Sequence, residues 1–319
     1  MNPRRNRFEG RTALVTGSSR GLGLLIAREL AARGCRVMLC ARGAEELAAA
    51  EWKLRTTGGA VASFPCDITD GDAPRRLLDA VHERFGPLDI LVNNAGIIQV
   101  GPMETFEEED FREAMETMLF SPVRLSLAAL PDLRRSGEGT LVTISSIGGR
   151  IAAPHLLPYV TAKFAAAGFS QGLRAELTGS GVSVTTVFPG LMRTGSHTAA
   201  RFSGRPGAEY GWFGAAATLP LLSMDAGRAA RAVVRAAERG RPELVLTPAA
   251  KIGVKLQGLA PASMARLLSV ADRALPEAGE RPRRDVPGAA AAGQSRLPRW
   301  VTTLGDRAGR RLGEPRPHN

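Results

Sequence analysis

Short apolar runs alternate with longer segments of helical periodicity along residues 1–248, and this alternation constrains the fold more than any other feature. Strands that are joined through helices need crossover connections and therefore lie parallel in one sheet. The runs are almost continuously apolar, as is typical of strands covered by helices on both faces. Strands are predicted at 12–15, 36–40, 61–66, 88–92, 140–144, 182–187 and 243–246. We therefore expect an α/β fold, a doubly wound parallel sheet of about seven strands.

Helices are predicted between these strands, at 44–55, 74–85, 107–135, 157–178 and 226–239, and another runs from the first glycine turn to about residue 33. Residues 195–222 interrupt the alternation and contain four aromatic side chains: Phe202, Tyr210, Trp212 and Phe213. A long insertion at the carboxyl end of a strand is typical of a substrate lid. A disordered loop is the alternative.

The chain beyond the last predicted strand has two parts. Residues 251–275 carry apolar side chains at helical spacing with lysines and an arginine between them, and Pro261 is expected to divide this segment. From residue 276 onward Pro, Gly, Ala and Arg dominate, which predicts a disordered tail. The expected organisation is a catalytic domain over 1–248, an amphipathic helical extension over 249–275 and a basic tail over 276–319.

The formal net charge of +11 raises the question of a nucleic-acid partner. The tail 276–319 alone holds nine arginines against five acidic residues, and aromatic residues make up only 5% of the chain. Basic and aromatic residues do not interleave as they do on a base-stacking surface. We therefore predict a solvated basic surface and no nucleic-acid partner.

The cysteines Cys35, Cys40 and Cys66 have neither zinc-ligand nor disulfide-framework spacing. We predict buried thiols in a reducing compartment and no bound metal. The basic N-terminal residues run into the first strand without an apolar signal segment, and no run approaches the ~20 apolar residues of a membrane span. These observations predict a cytoplasmic protein.

A glycine-rich turn, Thr16-Gly17-Ser18-Ser19-Arg20-Gly21-Leu22-Gly23, joins the first strand to its helix. Glycines allow the backbone to turn tightly and to approach a pyrophosphate, which the free N–H groups of the helix N-terminus then bind. The position of the turn within a βαβ unit predicts a Rossmann-type dinucleotide site.

The end of the second strand indicates which dinucleotide binds. An acidic residue there would accept a hydrogen bond from the ribose 2′-hydroxyl of NAD, but this chain reads Leu39-Cys40-Ala41-Arg42. Arg42 and Arg20 can instead flank a 2′-phosphate, so we predict NADP(H). Asp67, after the third strand, is placed to meet the adenine edge or to cap the turn that follows it.

Tyr159 and Lys163 lie four residues apart on a predicted helix and therefore share one face. A nearby ammonium and a positive nicotinamide would favour the phenolate and lower the pKa of the tyrosine, which makes it usable as an acid–base. Ser146, thirteen residues earlier at the end of the fifth strand, can polarise a carbonyl oxygen. Together with the glycine turn, this trio predicts hydride exchange at a carbonyl or alcohol carbon.

Six motifs resemble those of the classical short-chain dehydrogenase/reductase family, over about residues 10–248. They are the glycine turn, Asp67, Asn93-Asn94-Ala95-Gly96, Ser145-Ser146, Tyr159-x-x-x-Lys163 and Pro189-Gly190-x-x-x-Thr194. The resemblance implies that Ser146 orients the substrate, that Tyr159 is the acid–base and that Lys163 binds ribose. It also implies a cofactor site that contains Gly17, Ser19, Arg20, Gly21, Leu22, Gly23, Arg42, Asp67, Ile68, Asn93, Ala95, Gly96, Tyr159, Lys163, Pro189, Gly190 and Thr194.

One position departs from the family pattern. Met118 stands where the family usually has an asparagine, and Ser121 stands where it has a glycine. In the family that asparagine supports a water that relays protons to the lysine, and a thioether cannot donate a hydrogen bond. Two functions therefore remain: an NADP(H)-dependent carbonyl reductase or alcohol dehydrogenase, and a cofactor-binding sensor or scaffold with impaired turnover.

The surroundings of the trio predict the partners. Leu156 and Leu157 precede Tyr159, and together with the aromatic lid they favour an apolar carbonyl or alcohol substrate. The resemblance implies a homodimer or homotetramer built from the helices that begin near Glu107 and Leu157. Residues 251–275 either pack on protein or rest on an acidic membrane surface.

Overall fold

The computed structural model describes residues 7–218, 223–280, 282–296 and 298–313. The strands are β1 (Thr12–Thr16), β2 (Arg36–Ala41), β3 (Ala60–Pro65), β4 (Ile90–Asn93), β5 (Gln99–Val100), β6 (Thr140–Ile144), β7 (Ser183–Phe188), β8 (Leu191–Arg193), β9 (Arg201–Gly204), β10 (Ser223–Asp225), β11 (Glu243–Val245) and β12 (Arg283–Pro287). The α-helices are α1 (Gly21–Ala31), α2 (Ala44–Arg55), α3 (Ala73–Phe85), α4 (Glu108–Met115), α5 (Ser121–Arg135), α6 (Leu157–Glu176), α7 (Ser196–Ala199), α8 (Pro206–Thr218), α9 (Ala226–Glu238), α10 (Pro248–Leu259), α11 (Pro261–Asp272), α12 (Gly288–Gln294) and α13 (Arg299–Leu312).

A parallel sheet of seven strands, in the order β11-β7-β6-β4-β1-β2-β3, forms the centre of the molecule. β1 pairs with β2 on one side, where Thr12 lies opposite Arg36, and with β4 on the other, where Ala13 lies opposite Ile90. The chain winds outward from β1 to β3 and then returns to β4, so the strand order reverses between β1 and β4. Ligands bind in the crevice at the carboxyl ends of the strands at such a reversal.

Both faces of this sheet are covered by helices, because successive side chains of a strand point to opposite faces. Val15 packs with side chains of α1, α2 and α9 on one face. Its neighbour Leu14 packs with side chains of α3 and α5 on the other. Burying apolar residues on two faces explains why the strands read as continuous apolar runs.

The predicted doubly wound sheet of seven strands is confirmed, and α2 and β6 have the predicted bounds. The helix predicted over 107–135 is interrupted. α4 ends at Met115, a π-helical turn occupies Glu116–Phe120, and α5 begins at Ser121. The turn lies where the sequence departs from the family pattern.

Most of the predicted lid and much of the predicted tail form one structure, which we call the cap: residues 196–218 together with 283–296 and 298–312. β9 of the lid pairs in parallel with β5 and antiparallel with β12 of the tail. Helix α8 contacts α12 and α13. The expectation of disorder from residue 276 is therefore wrong for 283–294 and 299–312. Residues 219–222 of the predicted lid, and 281, 297 and 314–319 of the tail, lie outside the described residues.

Small residues explain why a segment with the composition of a disordered tail packs. A Cβ at Gly207 of α8 would overlap the backbone of Gln294, and one at Gly288 of α12 would overlap the carbonyl oxygen of His197. Glycines thus allow backbone-to-backbone approach between the lid and the tail. These partners are some 80 residues or more apart, so local composition does not reveal them.

Residues 248–272 form two helices, α10 and α11, that are divided at Pro261 as predicted. Most of their side chains are exposed, and the buried ones are Ala250 and Met264. None of the described helices is long and apolar enough to cross a bilayer.

The three cysteines are buried free thiols, as predicted. Burial raises the pKa of Cys35 to about 12. Burial also raises the pKa of Cys40 and of Cys66. Such thiols are inert at neutral pH, because the thiolate is the reactive form.

Candidate active site

The glycine turn has the geometry that a pyrophosphate needs. Gly17 and Gly21 have positive φ angles of 63° and 58°. A Cβ at Gly17 would stand 2.8 Å from the Cα of Ala95, and one at Gly23 would overlap the carbonyl oxygen of Gly17. The three glycines therefore let the turn close against the loop after β4.

The turn ends at the N-terminus of α1, where Arg20 is the N-cap with an extended backbone. No side chain of the described residues caps this end, and its first turn, 21–24, contains no acidic residue. The N–H groups of Gly21, Leu22 and Gly23 are thus placed for an anionic ligand. The cradle fits the pyrophosphate of a dinucleotide.

Arg42 and Asp67 lie together at the carboxyl ends of β2 and β3. The side chain of Arg42 is 72% exposed, and its Nη1 is 3.9 Å from Oδ2 of Asp67. Asp67 Oδ1 accepts hydrogen bonds from the N–H and the hydroxyl of Thr69, at 3.0 and 2.8 Å. Asp67 therefore caps the turn, while Arg42 remains accessible to a ligand; Ile68 packs below it against the core.

Asn93 has a different environment from the one that the motif implies. Its side chain is buried, and Nδ2 donates to Oγ of Ser126 at 3.0 Å. Asn94 instead supports the cofactor turn: its Nδ2 donates to the carbonyl oxygens of Thr16 and Gly17, at 2.9 and 3.0 Å. The side chain of Asn93 thus ties β4 to α5, and that of Asn94 ties the loop after β4 to the glycine turn.

The segment after β7 forms the other end of the crevice. The carbonyl oxygen of Pro189 accepts a hydrogen bond from the N–H of Ile147 at 2.7 Å, which joins this segment to the loop after Ser146. A Cβ at Gly190 would stand 2.5 Å from Oγ1 of Thr247. Thr194 is buried, and its hydroxyl accepts from the N–H of Ser196 at 3.1 Å. Pro189, Gly190 and Thr194 therefore form a rigid wall.

Ser146, Tyr159 and Lys163 come together as predicted. The Ser146 side chain lies beside the Tyr159 hydroxyl and acts to lower its pKa. The Ser146 Oγ also accepts from the N–H of Gly148 at 3.0 Å, which orients it. Lys163 Nζ lies 5.8 Å from the centre of the Tyr159 ring and donates to the carbonyl oxygen of Ile144 at 2.9 Å. A carbonyl oxygen at the Ser146–Tyr159 pair would meet two hydroxyl donors.

The environment shifts the pKa of both titratable members of the trio. Burial raises the pKa of Tyr159, and the Ser146 side chain opposes that rise without cancelling it. At neutral pH the phenol therefore holds its proton. Burial lowers the pKa of Lys163 to about 8. Lys163 Nζ faces the carbonyl oxygen of Ile144, and the expectation that the ammonium and a bound nicotinamide together lower the pKa of Tyr159 stays a prediction.

Met118 lies inside the π-helical turn, close to the trio. It is buried and packs with Ala114, Ala162 and the ring of Tyr159. A Cβ at Gly96 would stand 3.3 Å from its Sδ and 3.5 Å from Lys163 Nζ, so the thioether and the ammonium border the same space. Ser121 Oγ donates to the carbonyl oxygen of Glu116 at 2.8 Å and closes the turn.

Several site residues were not assigned from the sequence. Ser18 is one: the N–H of Cys40 donates to its Oγ at 3.0 Å, which ties the glycine turn to β2. Ser145 Oγ donates to the carbonyl oxygen of Lys163 at 2.8 Å and sets the distance between β6 and α6. A Cβ at Gly148 would stand 3.3 Å from Cε1 of Tyr159 and 3.4 Å from Ser146 Oγ. In the sequence, the only sign of this close packing around Ser146 and Tyr159 is the pair of glycines at 148–149, directly after the serine segment.

A buried network joins the lid to the loop before α6. His155 Nδ1 lies 2.9 Å from Oε1 of Glu209, and Trp212 Nε1 donates to Oε2 of the same carboxylate at 2.7 Å. His155 has a positive φ of 59° and stands four residues before Tyr159. Helix α8 of the predicted lid is therefore joined to the loop that leads to Tyr159.

A family model for short-chain dehydrogenases matches residues 11–202. The chain belongs to the short-chain dehydrogenase family, whose members are oxidoreductases that use NAD(P)(H). The predicted family membership is confirmed, and the seven-strand parallel sheet agrees with it.

The relatives include reductases of acyl substrates. The chain is 37% identical over 192 residues to a fatty acyl-CoA reductase of Acinetobacter baylyi, which is 60% of this chain and 65% of that protein. It is 35% identical over 187 residues to the 3-oxoacyl-[acyl-carrier-protein] reductase of Escherichia coli, which is 59% of this chain and 75% of that protein. The chain thus spans about two thirds of the Acinetobacter relative, and the family model ends at residue 202.

Solved structures extend the similarity. A short-chain dehydrogenase from Streptomyces avermitilis superimposes with a TM-score of 0.71 at 30% identity and covers 83% of this chain and 98% of that one. A variant actinorhodin polyketide ketoreductase with NADPH superimposes with a TM-score of 0.67 at 29% identity, over 76% of this chain and 97% of that one.

Proposed function

We propose that this protein is an NADPH-dependent reductase of apolar ketones. The observation that carries the proposal is the placement of the Ser146 and Tyr159 side chains next to each other, with the buried Lys163 one helical turn further on. The nicotinamide, when bound, supplies the hydride that reaches the carbonyl carbon. Ser146 holds the carbonyl oxygen, and Tyr159 donates its phenolic proton to that oxygen as the C=O bond becomes a C–OH bond.

The protonation of the trio favours the reductive direction. The raised pKa of Tyr159 keeps its proton available at neutral pH, as a general acid requires. Lys163 is charged below a pKa of about 8 and can then bind ribose hydroxyls. After each turnover Tyr159 must regain a proton from water. That proton must come by a route that does not include Met118, since a thioether neither donates nor relays a proton.

The preference for NADP(H) rests on Arg20 and Arg42. Both stand at the carboxyl ends of β1 and β2, and the end of β2 provides no carboxylate for a 2′-hydroxyl. Guanidinium groups bind a phosphate with charge-assisted hydrogen bonds. We expect Arg42→Ala to raise the KM for NADPH about 10- to 100-fold and to leave that for NADH unchanged. The control is Arg75→Ala, which removes an exposed arginine of α3.

An apolar substrate is the proposal that the lid supports. Leu156, Ile98 and Trp212 are partly buried side chains that pack against the aromatic cluster of the cap, on the substrate side of the trio. Two of the similar proteins are named as reductases of fatty acyl-CoA and of 3-oxoacyl-[acyl-carrier-protein], which agrees with this environment. A panel of long-chain 3-oxoacyl thioesters, steroid ketones and small polar ketones, followed through NADPH absorbance, tests the proposal. Preference for the small polar ketones would contradict it.

The alternative function is a cofactor sensor with little turnover, and Met118 is the observation that favours it. If the relay position alone limits the enzyme, Met118→Asn should raise kcat about tenfold, within the range of one proton-transfer effect. If the wild-type chain binds NADPH and reduces none of the panel, and Met118→Asn does not change this, the sensor is correct.

We also propose that the α10–α11 hairpin rests on an acidic membrane surface. Ile252, Leu256 and Leu259 form an exposed stripe on α10, and Leu259 is 84% exposed. Lys251 and Lys255 flank this stripe, and basic side chains beside an apolar face favour anionic lipid. Co-sedimentation with phosphatidylglycerol vesicles should be lost in Ile252→Ser/Leu256→Ser/Leu259→Ser. Co-sedimentation should persist in Trp52→Ser, which removes an exposed apolar side chain of α2. Binding of the triple variant to the vesicles would refute the proposal.

A homo-oligomer and a cytoplasmic location complete the proposed function. Phe120, Leu127 and Phe164 are exposed large apolar side chains near the start of α5, on α5 and on α6. A second copy of the chain would cover them, and light scattering on the eluted protein measures whether it does. Three buried free thiols suit a reducing compartment.

A further inference from the structure

Helix α13 contacts α8, β8 and α1, and the family match, which ends at residue 202, does not include it. Its buried positions recur at helical spacing and are mostly small: Thr302, Gly305, Gly309 and Leu312. Its exposed positions include Arg307, Arg310 and Arg311. The helix therefore has one close-packing face and one basic face.

The first half of α13 is tied to the lid. Asp306 Oδ1 lies 3.3 Å from Nε2 of His197, which is buried in α7, and Asp306 Oδ2 accepts from Thr302 Oγ1 at 2.9 Å. Burial acts to raise the pKa of Asp306, but the hydrogen bonds from His197 and Thr302 outweigh it and lower that pKa. The carboxylate is thus charged and held at neutral pH.

The contact between α13 and the lid is also close in steric terms. A Cβ at Gly305 would stand 2.8 Å from Cε1 of His197 and 2.8 Å from Oγ1 of Thr218. Only glycine permits this approach of α13 to α7 and α8. A side chain at residue 305 would therefore displace the helix from the lid.

The end of α13 reaches the phosphate-binding turn. Leu312 is buried in the same apolar cluster as Leu22 of α1. Lys53 Nζ of α2 donates to the carbonyl oxygen of Arg311 at 2.9 Å. A Cβ at Gly313 would stand 3.8 Å from the carbonyl oxygen of Ser19 and from Cβ of Arg20. The C-terminus of α13 therefore borders the turn that holds the pyrophosphate.

Between its two ends α13 contacts β8, the strand that leads to Thr194. The helix thus spans the crevice from the wall at the nicotinamide end to the turn at the pyrophosphate end. Its three exposed arginines add positive charge beside Arg20, which favours a bound polyanion.

We propose that α13 is a strap that retains the dinucleotide and couples its release to the lid. The proposal rests on the cofactor site of the proposed function. With α13 docked, the dinucleotide leaves only after the His197–Asp306 contact breaks or the end at Gly313 lifts from Ser19 and Arg20. Because one helix holds both places, movement of the lid loosens the phosphate end as well.

Stopped-flow displacement of NADPH, followed by its fluorescence, tests the strap without any substrate. Asp306→Ala, which removes the buried partner of His197, should release NADPH about tenfold faster. Gly305→Val should do the same by steric displacement, and the chain ended after Arg296 should show the largest increase. The matched control is Leu304→Ala, an exposed position of the same helix, which should release NADPH at the wild-type rate.

Hydrogen exchange gives a second readout that does not depend on truncation. NADPH should slow amide exchange in 301–312 of the wild-type chain and have little effect there in Asp306→Ala. Unchanged dissociation in Asp306→Ala and Gly305→Val overturns the strap, and so does slower dissociation, since α13 would then compete with the cofactor. If the wild-type chain does not bind NADPH at all, the proposed function itself fails, which is a distinguishable result.

Discussion

The central sheet and the cap are held together by different kinds of contact. Large aliphatic side chains such as Leu39, Ile26 and Leu77 fill both sides of the sheet, and they are fully buried. The cap instead relies on backbone approach at glycines and on buried histidine–carboxylate contacts, His155–Glu209 and His197–Asp306. The stabilisation of the sheet by buried aliphatic side chains is distributed over many weak contacts. The hydrogen-bonded contacts of the cap are few, and each can break without the others.

This difference suits the separate tasks of the two regions. Catalytic groups must be held within tenths of an ångström, and Ser146, Tyr159 and Lys163 stand on or beside the rigid sheet. A cover must open at each turnover, and regions that open have low local stability. Substitutions in the two regions should therefore give distinguishable effects.

The largest expected effect is on chemistry at the sheet. Tyr159→Phe removes the proton donor, and kcat should fall about 1000-fold while the affinity for NADPH stays near the wild-type value. Tyr210, the other tyrosine, lies in the cap, and Tyr210→Phe should change kcat by no more than about twofold. Steady-state kinetics and NADPH titration measure both variants. Equal losses of kcat in Tyr159→Phe and Tyr210→Phe would show that the cap, and not only the region around the sheet, takes part in catalysis.

The next effect concerns the buried ammonium. The pKa of Lys163 is about 8 in the folded chain and 10.5 ordinarily, so the unfolded chain binds more protons between these values. The contribution of Lys163 to the free energy of unfolding should therefore rise across pH 8 to 10.5, by about 3 kcal/mol in total, while the buried thiols with their raised pKa values act in the opposite direction above pH 9. Urea unfolding at several pH values measures this contribution as the difference in free energy of unfolding between the wild-type chain and Lys163→Met. That difference should grow by this amount between pH 8 and 10.5, and Lys255→Met, on the surface, should follow the wild-type chain; a difference that does not change with pH would contradict the prediction.

A cavity in the sheet should destabilise the whole domain. Leu39 is fully buried in β2, and Leu39→Ala should lower the free energy of unfolding by about 3 kcal/mol. Urea unfolding followed by far-ultraviolet circular dichroism should show one cooperative transition shifted to lower urea. A shift confined to hydrogen exchange in the cap would contradict this prediction.

The smallest effect is expected in the cap. Val286 of β12 is buried against β9, and Val286→Ala should cost about 1 kcal/mol. Amide exchange should then be faster in β9 and β12 and unchanged in β1. Faster exchange in β1 as well would mean that the cap and the sheet unfold as one unit.

Much of the fold and of the site was predictable. The seven strands of the central sheet, helices α1, α2, α3, α6 and α9, the division at Pro261 and the grouping of Ser146 with Tyr159 and Lys163 followed from periodicity and motif spacing. The burial of the Asn93 side chain against Ser126 was not predicted, because a motif states which residues are present and not where each points. Asn94 and Ser18 were missed because their hydrogen bonds reach across the glycine turn. The disorder expected after residue 276 was wrong because β12 pairs with a strand some 80 residues earlier.

The sequence by itself determined the alternation of strands and helices, the glycine turn and the spacing of Ser146, Tyr159 and Lys163. Each depends on residues close together in the chain, where backbone preferences and side-chain period act directly. Only the tertiary structure decided the strand order, the hydrogen bond of Lys163 to Ile144, the π-helical turn around Met118 and the contacts of α13 with α8 and the glycine turn. These depend on which distant surfaces meet, and glycine-rich segments such as α12 and α13 pack only when a complementary backbone is presented to them.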